Sequence, residues 1–567
     1  MRQFQYCLET IKKSRRITVM SFFEHSSVDS SIKRLITSIH WPLFVLIGIG
    51  IIGHSMFLSA PFVNLEYIYQ QSAELVTSGQ GFKRSLLHLF EGFNNPLGNT
   101  LVIAGVQGII GGSELSSRLP SLVSWLICVS MVYLIGCRWW SLSVGALAAT
   151  IIGFSPLFWV YGGIAYPDVP FTALITITMF LAGFATYRNS LRWHLLAALL
   201  LGLSTLFRYN GILFFPAIAI YVALQMYTTH SSNDINNWKS DTLKVWLVYI
   251  VVCGTIVIPY LLWTQQVLGM VFRPGFVLVA PTDIIFHVAA SVPRLGGYLI
   301  WLGAFVLPFT FLTFEHIRVR IKRPSLFMVA AILIPLNVAI IGAVHYLEIT
   351  SGELFGEMAF GWLERLLPTF IIVVMRFVFL TASEVAVVGL IVWGRQKVWP
   401  NAFMVLWLLV PLLTHSFYRM SQRYVMFFLP PLAVYMAWLV VKSVTVKSVT
   451  LSKHRTTAIA LCIVYMIIYP SIGLFTSAYY SAEGHASADI AEYVNENKIN
   501  IAASRHNPVL TNSFYLIDES RFPESDLSIN HRVAALGRYE DIENAIYVRD
   551  VRVIGLLIKR YVVLPLS

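Results

Sequence analysis

Apolar runs recur along the chain from Trp41 to about Ala478, and short polar segments separate them. Most of these runs are close to the ~20 residues that a helix needs to cross the hydrocarbon core of a bilayer. The pattern predicts an α-helical polytopic membrane protein. We predict about thirteen transmembrane helices, over residues 41–60, 119–136, 142–160, 169–186, 194–207, 211–227, 244–264, 295–314, 325–346, 367–393, 399–415, 425–441 and 456–477.

One further apolar segment, "LGNTLVIAGVQGIIGG" at residues 97–112, does not fit this series. It is short for a membrane span, and Asn99, Gln107 and several glycines interrupt it. If it crossed the membrane, most later basic loops would fall on the outer side, whereas Lys and Arg prefer cytoplasmic loops. We therefore predict an interfacial helix here, within a first outer loop over residues 61–118.

The distribution of Lys and Arg predicts the orientation of the chain. The first forty residues are basic and contain no short apolar core followed by a cleavage site, so they resemble a cytoplasmic tail and not a signal peptide. The strongly basic stretch "EHIRVRIKRP" (315–324) then also falls inside. We predict a multi-pass protein of the cell (plasma) membrane with a cytoplasmic N-terminus and an extracytoplasmic C-terminus and active site.

The end of the chain is ordinary in polarity and forms a separate predicted region. The segment "ASADIAEYVNENK" has a helical pattern, and "NPVLTNSFYLI" is typical of a strand. We predict a cytoplasmic basic tail over 1–40, a transmembrane domain over 41–477 and a small soluble extracytoplasmic α/β domain over 478–567.

Composition agrees with the bilayer as the main solvent. Hydrophobic residues make up 57% of the 567-residue chain, charged residues only 12%, and the mean hydropathy is +0.69. The formal net charge of +12 is explained by inner loops and does not require a nucleic-acid partner, so we expect none. None of the five cysteines lies in residues 478–567, so the sequence predicts neither a disulfide framework nor a cysteine metal site.

Two acidic residues lie directly beside predicted spans, each flanked by aromatic residues or prolines. They are Glu66 in "FVNLEYIYQ" and Asp168 in "AYPDVPF". A carboxylate at this level can accept a proton from an attacking hydroxyl or amine, or bind a divalent cation. Arginines on the same side can bind a phosphate with two hydrogen bonds each. This combination suits a transferase with a lipid-phosphate donor, although transporters also carry intramembrane charges.

Five stretches, in this order, resemble membrane glycosyltransferases of the GT-C superfamily, such as protein O-mannosyltransferases and lipid A aminoarabinose transferases. The resemblance covers the first 220 residues well and the later spans by architecture and one motif. The stretches are "LEYIYQQSAELVTSGQGF" (65–82), "EGFNNPLGNTLVIAGVQGIIGGSELSSRLPSLV" (91–123), "SPLFWVYGGIAYPDVPF" (155–171), "LGLSTLFRYNGILFFPA" (201–217) and "QRYVMFFLPPLA" (422–433).

The resemblance implies an inverting enzyme that moves one sugar from a polyprenyl-phosphate donor to an acceptor, a lipid, glycan or protein, at the extracytoplasmic face. The family usually has Asp-Glu or Asp-Asp in the first motif, where this chain has Asn64, Leu65 and Glu66. Either Glu66 is the functional acid shifted by one position, or that acid is absent and Asp168 is the main candidate. A degenerate homologue that binds lipid-linked sugar without catalysis, and a transporter or flippase, are the alternatives.

The predicted site residues fall into three groups. Glu66 and Asp168 are the catalytic candidates. Glu91 and His287 are candidate ligands of a divalent cation, the one cofactor considered. The candidate substrate-binding residues are Asn64, Tyr69, Asn95, Arg208, Tyr209, Arg273, Arg423 and Tyr424.

Overall fold

The computed structural model of the chain describes residues 40–63, 66–92, 95–229, 235–270, 281–320, 326–351, 367–396, 399–417, 421–445, 455–497, 531–536, 547–553 and 556–565. The chain divides into two compact units, Met1–Gly48 and Ile49–Ser567. The described part of the first unit is residues 40–48, which include the start of helix α1 (Trp41–Ser55). The second unit contains the remaining elements and the candidate site.

The described residues of the first half of the chain are mainly helical, and several of these helices are shorter than a membrane span. A 3₁₀ turn, Tyr209–Phe214, joins the last two helices of this series. The helices after α1 are α2 (Glu66–Thr77), α3 (Gly81–Gly92), α4 (Gly98–Ile110), α5 (Glu114–Trp139), α6 (Leu142–Gly153), α7 (Pro156–Gly162), α8 (Asp168–Arg188), α9 (Leu191–Thr205) and α10 (Phe215–Thr229).

In the described residues of the second half, the helices are longer and two more 3₁₀ turns occur, Leu307–Phe309 and Gln422–Phe428. Its helices are α11 (Ile235–Leu268), α12 (Pro281–Val306), α13 (Thr310–Arg320), α14 (Leu326–Ser351), α15 (Thr369–Gly394), α16 (Trp399–His415), α17 (Leu429–Thr445) and α18 (Arg455–Glu496).

The helical, multi-pass class is confirmed, while the count of thirteen spans stays a prediction. Among the described residues, 8 helical segments are long and apolar enough to cross a membrane, or up to 9 if α6 and α7 form one bent span. The helix α4, predicted to be interfacial, has 13 residues. At 1.5 Å per residue it is about 20 Å long, shorter than the ~30 Å hydrocarbon core.

The bend between α6 and α7 measures 68° and follows from a proline. Pro156 is the first residue of α7, where its missing N–H needs no partner but where it cannot continue the preceding helix. His54 holds α7 against the end of α1, because its Nε2 lies 2.9 Å from the carbonyl oxygen of Trp159. The segment between α7 and α8, which corresponds to the predicted second outer loop and contains Ala165 and Tyr166, therefore begins from a fixed position.

The start of α4 is joined to the turn after α9. The amide of Gly98 donates to the carbonyl oxygen of Leu206 at 2.8 Å. A Cβ added at Gly98 would lie only 2.4 Å from that oxygen, so this close approach requires glycine. The contact places the predicted interfacial helix beside the turn that carries Arg208.

The described part of the tail contains the end of α18 and a three-stranded antiparallel sheet. A single helix, α18, runs across the predicted domain boundary at 477/478. The small α/β domain stays a prediction, since most of 498–546 lies outside the described residues. The sheet order is β1-β3-β2, and its strands are β1 (His531–Leu536), β2 (Tyr547–Val553) and β3 (Leu556–Pro565).

Candidate active site

Asp168 is the centre of the candidate site. It is the first residue of α8 and is fully buried. An acid in the first turn interacts favourably with the helix dipole, and the prolines at 167 and 170 are tolerated there because first-turn amides have no helical partner. Its Oδ2 accepts a hydrogen bond from Nη2 of Arg208 at 2.7 Å. Its Oδ1 is buried and has no hydrogen-bond partner among the described residues.

Arg208 follows α9 in extended conformation and is only 3% exposed. Burial by itself lowers the pKa of Arg208, but Asp168, Tyr424 and Tyr69 all favour the charged form. Together they outweigh burial, so the pKa is raised and the guanidinium is charged. Its Cζ lies 4.9 Å from the centre of the Tyr424 ring. Its Nε is buried without a hydrogen-bond partner within the described part of the chain.

Arg423 brings a second positive charge to Asp168 from the 3₁₀ turn Gln422–Phe428. Its guanidinium lies between aromatic rings, with Cζ 5.2 Å from the centre of Tyr166 and 5.8 Å from that of Tyr424. Such cation–π contacts hold a guanidinium in place while leaving its N–H groups available to an anion.

Tyr69 and Asn95, which both come from the first outer loop, complete the cluster around Asp168. The Asn95 side-chain amide donates to the Tyr69 hydroxyl at 2.7 Å, and the Tyr69 ring lies 5.6 Å from that of Tyr166. Burial raises the pKa of Tyr69, and the charges of the two arginines only partly oppose this rise. Tyr69 is therefore a neutral phenol at physiological pH.

The structure thus brings together six of the predicted site residues. In the cluster, two positive charges face one negative charge, so the cluster favours an anion. In the described part of the chain, no group of three or more His, Cys, Asp or Glu side chains could hold a metal ion. The six residues are Tyr69, Asn95, Asp168, Arg208, Arg423 and Tyr424.

Glu66, the other catalytic candidate, has different surroundings. Both of its carboxylate oxygens pair with the guanidinium of Arg118, at 3.0 Å to Nε and 2.8 Å to Nη2. Each oxygen also accepts a backbone amide, from Ala165 at 2.7 Å and from Val63 at 2.9 Å. A carboxylate offers about four lone-pair positions, so these contacts leave none for a substrate proton.

Of the remaining predicted residues, Tyr209 is the one whose side chain the structure describes. Tyr209 is hydrogen-bonded to Tyr260, whose hydroxyl in turn accepts the amide of Leu97 at 3.1 Å. Asn64 and Arg273 lie outside the described residues. So do the side chains of Glu91 and His287, although their backbones are helical.

Sequence reasoning missed two residues that shape the site. Arg118 belongs to the "RLPS" motif, and Tyr166 precedes Asp168 by two positions. An arginine within an apolar helix and an aromatic residue before an acid were the available signals. Neither signal shows which residue the side chain contacts. Glu66 and Arg118, for example, are 52 positions apart in sequence.

Residues 94–263 match the family model for dolichyl-phosphate-mannose-protein mannosyltransferase. This match confirms, over residues 94–263, the resemblance to membrane glycosyltransferases. No curated protein matches this sequence.

The chain also matches several solved structures at low sequence identity. One is ArnT from Cupriavidus metallidurans, bound to undecaprenyl phosphate, with 11% identity over 92% of this chain and 97% of that chain and a TM-score of 0.49. A second is the archaeal oligosaccharyltransferase AglB from Archaeoglobus fulgidus, in complex with an inhibitory peptide and a dolichol-phosphate, with 11% identity, coverages of 87% and 69% and a TM-score of 0.46. A third is the arabinosyltransferase EmbB from Mycobacterium smegmatis, with 14% identity, coverages of 81% and 43% and a TM-score of 0.38.

Proposed function

We propose that this protein is an integral membrane glycosyltransferase that moves one sugar from a polyprenyl-phosphate donor to an acceptor at the extracytoplasmic face. The main support for the proposal is the hydrogen bonding of the Asp168 carboxylate. One of its oxygens is paired with Arg208, and the other is buried without a partner among the described residues. The family-model match over 94–263 includes Asp168 and Arg208 and supports a phosphate-linked sugar as donor.

The two arginines would bind the donor phosphate. Guanidinium groups match phosphate oxygens in geometry and remain charged at all physiological pH values. The Nε atoms of Arg208 and Arg423 are both buried and have no hydrogen-bond partner in the described residues. When the bond from the sugar to the phosphate breaks, the developing negative charge on the leaving phosphate is stabilised by both arginines.

Asp168 would act as the general base. The acceptor hydroxyl or amine attacks the anomeric carbon while the bond from this carbon to the phosphate oxygen breaks, and the bonding electron pair leaves with the lipid phosphate. The acceptor proton passes to Oδ1 of Asp168. Attack from the side opposite the phosphate inverts the anomeric centre.

Among the described residues, Asp168 is the one carboxylate identified in the cluster, and no three His, Cys, Asp or Glu side chains meet there. The positive charge that a cation would supply is available from Arg208 and Arg423. The side chains of Glu91 and His287, the candidate metal ligands, lie outside the described residues. The proposed chemistry therefore rests on the arginines.

The test is sugar transfer by the purified protein in liposomes, with a panel of radiolabelled polyprenyl-phosphate sugars and candidate acceptors. We expect Asp168→Asn to lower transfer by roughly 10²–10⁴-fold, the usual contribution of a general base. Glu114→Gln is the matched control, since Glu114 is also the first residue of a helix and has no role in the cluster.

Two outcomes would contradict the proposal. One is full activity of a folded Asp168→Asn protein. The other is a wild-type protein that binds a polyprenyl-phosphate sugar but transfers it to no acceptor in the panel, which would favour a binding homologue without catalysis.

A further inference from the structure

Glu66 and Arg118 form a buried junction, defined here as this ion pair together with the backbone groups that it binds. The side chains are 0% and 3% exposed. Arg118 lies in the second turn of α5, which begins with Ser113 as its N-cap. Beyond Glu66, its guanidinium donates to four carbonyl oxygens of the segment that follows α1, those of Phe57, Leu58, Ala60 and Pro61.

The junction connects three separate parts of the chain. Arg118 comes from α5, the accepting carbonyls come from residues 57–61, and the amide of Ala165 comes from the second outer loop. These contacts span 52 to 99 positions in sequence. Because both side chains of the ion pair are buried, removing the carboxylate would release Ala165 and leave a buried guanidinium without its counter-charge.

Ala165 links the junction to the candidate active site. The next residue, Tyr166, supplies the ring that lies against both Arg423 and Tyr69. Asp168 follows two positions later. The other end of this short segment is held by His54 at the carbonyl of Trp159. The segment from 159 to 165 is thus attached at both ends. Its attachment at Ala165 lies one residue before Tyr166, whose own carbonyl accepts from Ser121 Oγ at 3.3 Å.

We propose that Glu66 and Arg118 are positioning residues for sugar transfer, and that Glu66 does not accept the substrate proton. This inference rests on the proposed function. The junction holds Tyr166 and Asp168 in the geometry that the reaction needs. Displacement of reacting groups by about 1 Å lowers enzymatic rates by as much as ~10²-fold, so a residue that never contacts the substrate can still have a large effect.

The kinetic test compares Glu66→Gln, Glu66→Ala and Asp168→Asn in the transfer assay. Glutamine retains one acceptor oxygen for the Ala165 amide, whereas alanine retains none. A positioning role predicts that Glu66→Gln loses about 10-fold in kcat and Glu66→Ala about 10²-fold. It also predicts that Glu66→Gln keeps the decline of kcat/KM at acidic pH that Asp168→Asn loses. Equal inactivity of the two Glu66 variants, or loss of the acidic decline in Glu66→Gln, would overturn the proposal.

A second measurement is independent of activity. Hydrogen exchange of the full-length protein in lipid nanodiscs, followed on peptides covering residues 162–167, reports the Ala165 amide. We expect faster exchange in Glu66→Ala and no change in Glu74→Ala, the control from the exposed face of α2.

Unchanged exchange in Glu66→Ala would show that Glu66 does not hold the Ala165 amide, even if the transfer assay detects activity. If no transfer is found with any donor but exchange increases, the proposed function fails while the junction stands. If Glu66→Ala does not fold, the kcat of Glu66→Gln and its pH profile decide whether Glu66 positions the site or accepts the substrate proton.

Discussion

At the scale of single residues, the candidate site separates two acids with similar sequence surroundings. Glu66 and Asp168 both begin helices and are both fully buried. Glu66 is saturated by four hydrogen bonds, while Asp168 keeps one oxygen without a partner in the described structure. Breaking a buried ion pair leaves an uncompensated charge, which typically destabilises a protein by ~3–5 kcal/mol. Variants of either acid therefore need a folding control.

Arg423 offers a residue-scale test of donor binding. Arg423→Lys keeps the charge but loses the planar fork and the stacking against Tyr166. We expect the KM for the lipid-linked donor to rise about tenfold, equivalent to ~1.4 kcal/mol of lost binding, with a smaller change in kcat. Arg188→Lys is the control, because Arg188 also stacks on an aromatic ring, Phe184, but at the opposite end of α8. A KM that does not change would remove Arg423 from the donor site.

At the scale of elements, the site depends on how closely α4 approaches the turn after α9. Gly98 begins α4 and touches Leu206, two residues before Arg208. The adjacent Leu97 amide donates to the Tyr260 hydroxyl, which adds a contact from α11. The short helix that the sequence predicts as interfacial is therefore attached directly to the turn that supplies Arg208, one of the two arginines proposed to bind phosphate.

Two glycines of α4 allow a matched test of this contact. In Gly98→Ala the new Cβ would lie 2.4 Å from the carbonyl oxygen of Leu206, so the backbone must shift, and we expect a loss of ~1–3 kcal/mol in stability. In Gly105→Ala the new Cβ meets nothing within 4 Å, and the higher helix propensity of alanine should raise stability by up to ~1 kcal/mol.

Thermal unfolding followed in detergent, together with the transfer rate, measures both variants. We expect Gly98→Ala to unfold at lower temperature and to transfer more slowly, and Gly105→Ala to match or exceed the wild type. Equal behaviour of the two variants would show that the contact between α4 and Leu206 does not support the site.

At the scale of the whole molecule, the proposed function requires the site to face the extracytoplasmic side. Helix α5 has 26 residues and is about 39 Å long, enough to cross the hydrocarbon core. Arg118 and the Glu66 junction lie at its beginning, and Arg138 lies in its last turn. The two ends of α5 should therefore be accessible from opposite sides of the membrane.

Cysteine labelling tests this orientation. In a variant without the five native cysteines, a membrane-impermeant maleimide applied to intact cells should label Glu74→Cys but not Arg138→Cys. Both positions are exposed, and Glu74 lies beside Gly112 near the start of α5. After permeabilisation both should react. The reverse pattern would place the candidate site on the cytoplasmic side and contradict extracytoplasmic transfer.

The fold class and several candidate site residues could be inferred from local patterns in the chain. The periodic apolar runs predict the polytopic helical class because each helix satisfies its own backbone hydrogen bonds in the bilayer, whatever its neighbours are. Acids and arginines beside those runs stand out for the same reason, since charge is expensive there. Asp168, Arg208 and Arg423 were identified in this way, and they do meet in one cluster, together with Tyr69 of the first-loop stretch.

The roles of these residues could not be inferred locally, because they depend on partners far apart in sequence. Whether a buried carboxylate keeps a free oxygen is set by the donors that surround it, and for Glu66 these come from residues 63, 118 and 165. The pairing of Asp168 with Arg208 crosses 40 positions. Helix packing brings these groups together. It is therefore packing that leaves Asp168 with one oxygen unpaired within the described residues and leaves Glu66 with none.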